Sequence, residues 1–195
     1  MDPKIEKFIS TYYSNFRIYH ELMSIRINEI LLVSSPYDAF ILEKDGDLAA
    51  RIIDEYSGLN LSKPPRITWT CSGIEALSLI DKKRYDVVVT MPHIDKMDAL
   101  SLGGEIKKKR PGLPVILLSH SIKSIEALLD KGACKEIDKV FVWSGNSELL
   151  LAMVKLAEDR LNVDIDTKKA MTRVLLLVED SPVYYSSFLP IIYKE

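Results

Sequence analysis

Cysteine is scarce: Cys71 and Cys134 stand far apart in 195 residues and match no metal-ligand spacing. That excludes a disulfide framework or a zinc ribbon and points to a reducing compartment. Long apolar runs are missing too. The longest, residues 149–154, has six residues, far short of the roughly twenty that span a bilayer. The N-terminus carries Asp2 and Glu6 where a secretory signal has a basic start and an apolar core. These absences lead to the expectation of a cytoplasmic protein with no membrane partner. Charge of one sign is also lacking, because 26 Lys and Arg against 28 Asp and Glu leave a formal net charge of -2. The chain therefore has no bulk field for nucleic acid. Its one basic cluster, residues 107–110, ends a predicted helix, where cations complement the dipole. What is there is an ordinary globular composition, 47% hydrophobic and 28% charged, long enough for one well-cored domain with additional elements.

Residues 2–26 read as one amphipathic helix, with Asp2 as N-cap, Pro3 at the first helical position and Glu6 in the first turn. Its apolar positions Ile5, Ile9, Tyr12, Phe16, Tyr19 and Met23 alternate four and three apart, which is an a/d seam. Three of them are aromatic, so the seam must be covered by its own domain or by another chain. The simplest other chain is the same helix in a homodimer.

Strand patterns follow at 29–33, 66–70, 87–90, 114–118 and 139–143, and helical patterns at 37–56, 74–83, 99–110, 122–131 and 148–161. The run Val87, Val88, Val89 marks a strand buried on both faces, the middle of the sheet. Asp98 is placed to cap the following helix. Gly103 and Gly104 weaken that helix and imply a close backbone approach or local flexibility. Cys71 is read as a buried filler at a strand end. Strict strand–helix alternation predicts an α/β fold, a doubly wound five-stranded parallel sheet of flavodoxin-like order. The organisation expected is an N-terminal helix (1–28), this domain (29–162), a polar linker (163–172) and a further piece (173–195).

Open parallel sheets bind ligands outside the carboxyl ends of their strands, so Thr90, Met91 and the loop 92–99 line the predicted site. Over 29–162 the pattern resembles the receiver domain of bacterial two-component response regulators, whose third strand ends in a phosphoacceptor Asp followed by a Met- and Pro-rich loop and Met-Asp-Gly. Aligned on the Val-Val-Val-Thr run and on Met97-Asp98, the acceptor place holds Met91. The family's acidic, metal-holding pair corresponds to Ser34 and Ser35, its lysine to Trp143 and its aromatic switch to Val140. Only Ser119 keeps the family's hydroxyl, and it is read as inherited rather than used. The resemblance therefore implies a pseudo-receiver: a signalling module with no catalytic residue, metal or cofactor, working through protein partners. An apolar plug of Met91 against Trp143 is expected to fill the old ion site, with no carboxylate beside Ser34 and Ser35.

Residues 173–182, RVLLLVEDSP, resemble the start of a second receiver: a buried strand, the acidic pair Glu179 and Asp180, and Ser181-Pro182 opening a helix to Tyr193. The strand ends LLVSSP and LLVEDSP are an internal echo. One βα unit cannot bury its own core, so this piece is expected to begin a domain whose phosphoacceptor lies further on; magnesium would belong only to that complete second receiver. The alternative is an extension that adds its strand to the first sheet or to another subunit. A reading of another class uses His93, Asp95, Asp98 and His120 at the same rim as a transition-metal or small-ligand site. The order of helix, degenerate receiver and incipient receiver is also similar to the N-terminal region of large bacterial proteins with a phosphoenolpyruvate synthase or pyruvate phosphate dikinase-like module downstream. None of that module's residues are in this chain, so the segment itself is expected to have no enzyme activity.

Overall fold

The computed structural model describes residues 22–46, 64–129 and 135–194. In chain order the elements are β1 (Glu29–Val33), α1 (Pro36–Gly46), β2 (Arg66–Thr70), α2 (Gly73–Lys82), β3 (Val87–Thr90), β4 (His93–Ile94), β5 (Met97–Asp98), α3 (Ala99–Lys109), β6 (Val115–Ser119), α4 (Ile122–Leu129), β7 (Lys139–Val142), α5 (Glu148–Ala170) and α6 (Pro182–Lys194). They divide into two compact units. One holds residues 27–154 and 179–195; the other, within the described residues, holds 22–26 and 155–178.

The first unit is built on a five-stranded parallel sheet in the order β2-β1-β3-β6-β7, the flavodoxin-like order expected. Its β-branched run makes β3 the central strand, buried along its whole length. Side chains alternate between two dry faces. Leu31, Val33, Val88, Val115 and Leu117 join Ala76 and Ile80 of α2 and Leu102 and Ile106 of α3 in one core. On the other face Ile30, Leu32, Val87, Val89 and Ile116 line an apolar cavity together with Leu42 of α1 and Leu150, Met153 and Val154 of α5. β2 sits at an edge, as its alternating character predicts.

Two carboxylates fix the register at the entry end of the sheet. Asp86, just before β3, accepts the backbone N–H groups of Asn28 and Glu29 at 2.8 and 3.0 Å. Asp138, just before β7, accepts the Val115 N–H at 2.7 Å and the Lys107 ammonium at 2.5 Å. Each ties its strand to a neighbour through hydrogen bonds to a charged group, the stronger kind. The basic cluster is likewise engaged within the domain: Lys108 pairs with Glu105, Lys109 with Asp81, and the Arg110 guanidinium donates to the Ile80 carbonyl.

The second unit corrects two expectations. The polar stretch after residue 161 is not a linker, because α5 runs on to Ala170. Its Glu158, Asn162 and Asp166, spaced i, i+4, i+8, share one helix face and grip the chain at 23–26. Asp166 accepts the Met23 N–H at 3.2 Å, and Asn162 exchanges two hydrogen bonds with the Ile25 backbone at 2.9 and 2.7 Å. Glu158 pairs with Arg26 at 3.3 Å. Met23 therefore lies in a turn with φ of 52°, not on a helical seam. Ile5, Ile9, Tyr12, Phe16 and Tyr19 lie outside the described residues.

A third difference follows α5. Residues 173–181 form no strand, and Val174, Leu175, Leu176 and Val178 are 60–82% exposed. A strand needs a neighbour for its backbone, and among the described residues this one has none. The helix predicted after Ser181-Pro182 does form, and it docks on β7. Ser186 Oγ accepts the Val142 N–H at 2.8 Å. The Tyr185 ring lies 5.8 Å from that of Phe141, and Lys139 Nζ sits 3.8 Å above it. Burial pushes the Tyr185 phenol above its ordinary range. Lys194 pairs with Glu148 at 3.1 Å. Among the described residues no helix is long and apolar enough to cross a membrane.

The glycine pair of α3 separates into two roles. A Cβ on Gly103 would stand 3.0 Å from the Glu136 carbonyl oxygen, whereas on Gly104 the nearest atom is 3.6 Å away. Gly103→Ala is expected to destabilise by about 1–3 kcal/mol through overpacking, while Gly104→Ala is neutral or stabilises by up to about 1 kcal/mol. Urea unfolding of the two variants reads this directly; equal effects would remove the close approach.

Candidate functional site

Four strands of the sheet deliver the site residues to one rim. Ser34 follows β1, fully buried, and its hydroxyl accepts the Trp69 indole N–H from β2 at 3.0 Å. Met91 follows β3; its N–H donates to the Val33 carbonyl at 3.0 Å and its side chain is 1% exposed. Ser119 ends β6 in a turn of its own, its hydroxyl donating to the Ser121 carbonyl at 2.9 Å and accepting the Ser121 N–H at 3.1 Å. Trp143 follows β7, donates its N–H to the Ser119 carbonyl at 2.8 Å, and is 4% exposed. Among the described residues its buried indole Nε1 has no hydrogen-bond partner.

Strand register sets the distance between the two halves of the expected plug. Thr90, Leu117 and Val140 share one row across the sheet. Met91 is one residue beyond that row and Trp143 three, with β6 between them. Two strand spacings are roughly 10 Å and two residues roughly 7 Å. A methionine and an indole bridge that diagonal only by both leaning over β6.

A carboxylate does stand beside the serines, contrary to expectation. Ser35 is the N-cap of α1: its hydroxyl accepts the Asp38 N–H at 3.1 Å and donates to Asp38 Oδ2 at 2.7 Å. The sequence Ser-Pro-Tyr-Asp is a capping-box pattern with Pro36 at the first helical position, so the acid comes from the helix rather than from the strand end. That signal was readable in the sequence. Asp38 Oδ1 also lies 3.6 Å from His120 Nε2, joining α1 to the turn after β6.

These residues do not suit the magnesium ion that receivers imply. The ion wants several hard, preferably anionic oxygens in octahedral array. Here one serine hydroxyl is held by an indole, the other is bonded to the Asp38 carboxylate, and the third strand offers a buried thioether, a soft ligand. The four-residue metal reading fares no better. His93 and Asp98 are paired across a two-stranded hairpin, β4 with β5, and the Asp98 carboxylate caps α3 by accepting the Ser101 N–H at 2.8 Å. Asp95 bridges to Ser72, and His120 faces Asp38. Among the described residues no three His, Cys, Asp or Glu come together.

The hairpin replaces the irregular loop expected at 92–99. Lys96 turns it with φ of 57°, and Met97 lies against Gly73 so closely that a Cβ there would stand 2.9 Å from its sulfur. Cys71 is half-buried rather than buried. Of the second acidic pair, Glu179 accepts the Ser181 N–H at 2.9 Å, ahead of α6.

No family model matches this chain. Over 111 residues it is 29% identical to the transcriptional regulatory protein GlrR of Escherichia coli K12, a match covering 54% of this chain and 25% of that protein. The chain thus spans about a quarter of the length of the curated relatives it matches. Among solved structures, the signal receiver domain of an HD domain-containing protein from Pseudomonas fluorescens Pf-5 superposes with a TM-score of 0.54 at 21% identity, covering 73% of this chain and 94% of that one. The response regulator TrrA of Thermotoga maritima, solved in complex with Mg(2+)-BeF, gives 0.50 at 23% identity, covering 67% and 99%. The fold is that of a receiver domain.

Removing the Trp69 donor alone should cost more than removing both partners. Trp69→Phe leaves the buried Ser34 hydroxyl short of its donor, at about 1–3 kcal/mol, while Ser34→Ala in the same background recovers part of that loss. A double-mutant cycle by chemical denaturation measures the coupling; strict additivity would mean that the bond carries no energy.

Proposed function

We propose that residues 29–162 form a receiver that cannot be switched by aspartyl phosphorylation and that serves a two-component-type regulatory protein as a protein-interaction module. One observation carries this reading: the residue at the end of the central strand is a buried methionine. Acyl-phosphate formation needs a carboxylate nucleophile, and a thioether has neither the charge nor the second bonding site for a phosphoryl group. The flanking residues agree. Trp143 brings no cation to balance a phosphoryl charge, and the serine hydroxyls are engaged with Trp69 and Asp38.

Asp38 is the group that could spoil this reading, since it is a carboxylate at the right end of the sheet. Its bond to Ser35 and its seat in the first turn of α1 give it a structural task, on a helix rather than at the end of β3. We propose further that residues 173–195 belong to a second receiver whose acidic pair is Glu179 and Asp180; the echo of LLVSSP in LLVEDSP supports it.

Incubation with acetyl phosphate and Mg²⁺, followed by intact mass measurement, is expected to leave the chain unmodified. A phosphate adduct would contradict the proposal. If Asp38→Asn abolished that adduct, the acceptor would be Asp38 rather than a residue at the end of β3.

A further inference from the structure

The helix α6 carries two apolar faces, and only one is used. Tyr185 packs on Phe141 of β7, Ser186 bonds the Val142 N–H, and Leu189, one turn on from Tyr185, is buried on the same helix face. On the other side Tyr184, Phe188, Ile191 and Ile192 are exposed, spaced i, i+4, i+7, i+8, and the rings of Tyr184 and Phe188 stack 6.2 Å apart. That spacing is a continuous stripe along a helix.

The internal echo says what the stripe is for. Matching Pro36 to Pro182, each at the start of its helix, places Leu42 of α1 on Phe188 of α6, with one extra residue between strand and helix in the second copy. Leu42 is 0% exposed and lines a cavity with Ile30 and Leu32 of its own sheet. Its counterpart Phe188 is 44% exposed. By the same matching the buried Leu189 corresponds to Glu43, which is exposed in α1. So α6 docks on the first sheet with a face that the repeat does not use, and keeps the repeat's sheet-facing side free.

We propose that α6 is shared between two domains: Tyr185, Ser186 and Leu189 seal the outer edge of β7, while Tyr184, Phe188 and Ile191 carry the sheet of the second receiver. The inference rests on the second-receiver reading given above. Its consequence is a fixed tandem. Because the two faces are distinct, folding of the second sheet leaves α6 on β7, and a change in the second domain is passed to the edge of the first through the helix they share.

Hydrogen exchange by mass spectrometry on the protein at its natural full length tests this. In the wild type, residues 174–178 should be protected by on the order of tenfold or more over unfolded chain, and so should 139–142. Phe188→Lys should remove protection from 174–178 and leave 139–142 unchanged. Leu189→Lys, and the milder Ser186→Ala, should do the reverse. Exchange of 174–178 at unfolded rates in the wild type would overturn the second-receiver reading and the shared helix with it. Protection of 174–178 that survives Phe188→Lys, or a β7 indifferent to both Leu189→Lys and Ser186→Ala, would overturn the shared helix alone.

Discussion

A strand with two neighbours and helices over both of its faces delivers the next residue into a dry place, and β3 is such a strand. Three consecutive valines place it in the centre, and hydrogen bonding carries the pairing with β1 one residue further, through the Met91 N–H to the Val33 carbonyl. Whatever stands at 91 therefore has its backbone fixed and its side chain removed from water. A carboxylate there would call for a metal or a cation, whereas a methionine, here 1% exposed, needs neither. The other rim residues agree with that choice. Ser34 turns to an indole, Ser119 to its own turn, and Trp143 supplies bulk where charge would otherwise stand.

The strands were legible because burial on both faces leaves a mark in the residues themselves, as in the runs at 30–33, 87–89 and 115–118. Caps at Asp98 and the helix after Pro182 were legible for local reasons of hydrogen bonding and fixed φ. What escaped were features with a polar or very short signature. The continuation of α5 to Ala170 has no apolar stripe to find; its organising residues are polar, Asn162 and Asp166 binding backbone and Glu158 the Arg26 guanidinium. The hairpin at 93–98 has strands of two residues, too short for alternation to show. At 174–178 the composition was right for a strand, yet composition cannot supply a partner. The carboxylate beside Ser35 has a signature of only four residues, the capping pattern Ser-Pro-Tyr-Asp, and it comes from the helix rather than from the strand end.

The same physical logic links the two ends of the chain's first unit. β7 would present an unpaired edge, a template for unwanted pairing, and α6 covers it with one buried hydrogen bond, an aromatic contact and the Lys194–Glu148 pair. At the rim a buried methionine follows the central strand, and at the edge a helix covers β7.

Titration with Mg²⁺ and beryllofluoride, an acyl-phosphate mimic, bears most directly on the closed rim. The signals to follow are the indole resonances of Trp69 and Trp143, which flank the end of β3. With Met91 closing the site, both should stay in place through millimolar additions. A saturable shift of either indole would contradict the closed rim and restore an ion pocket to it.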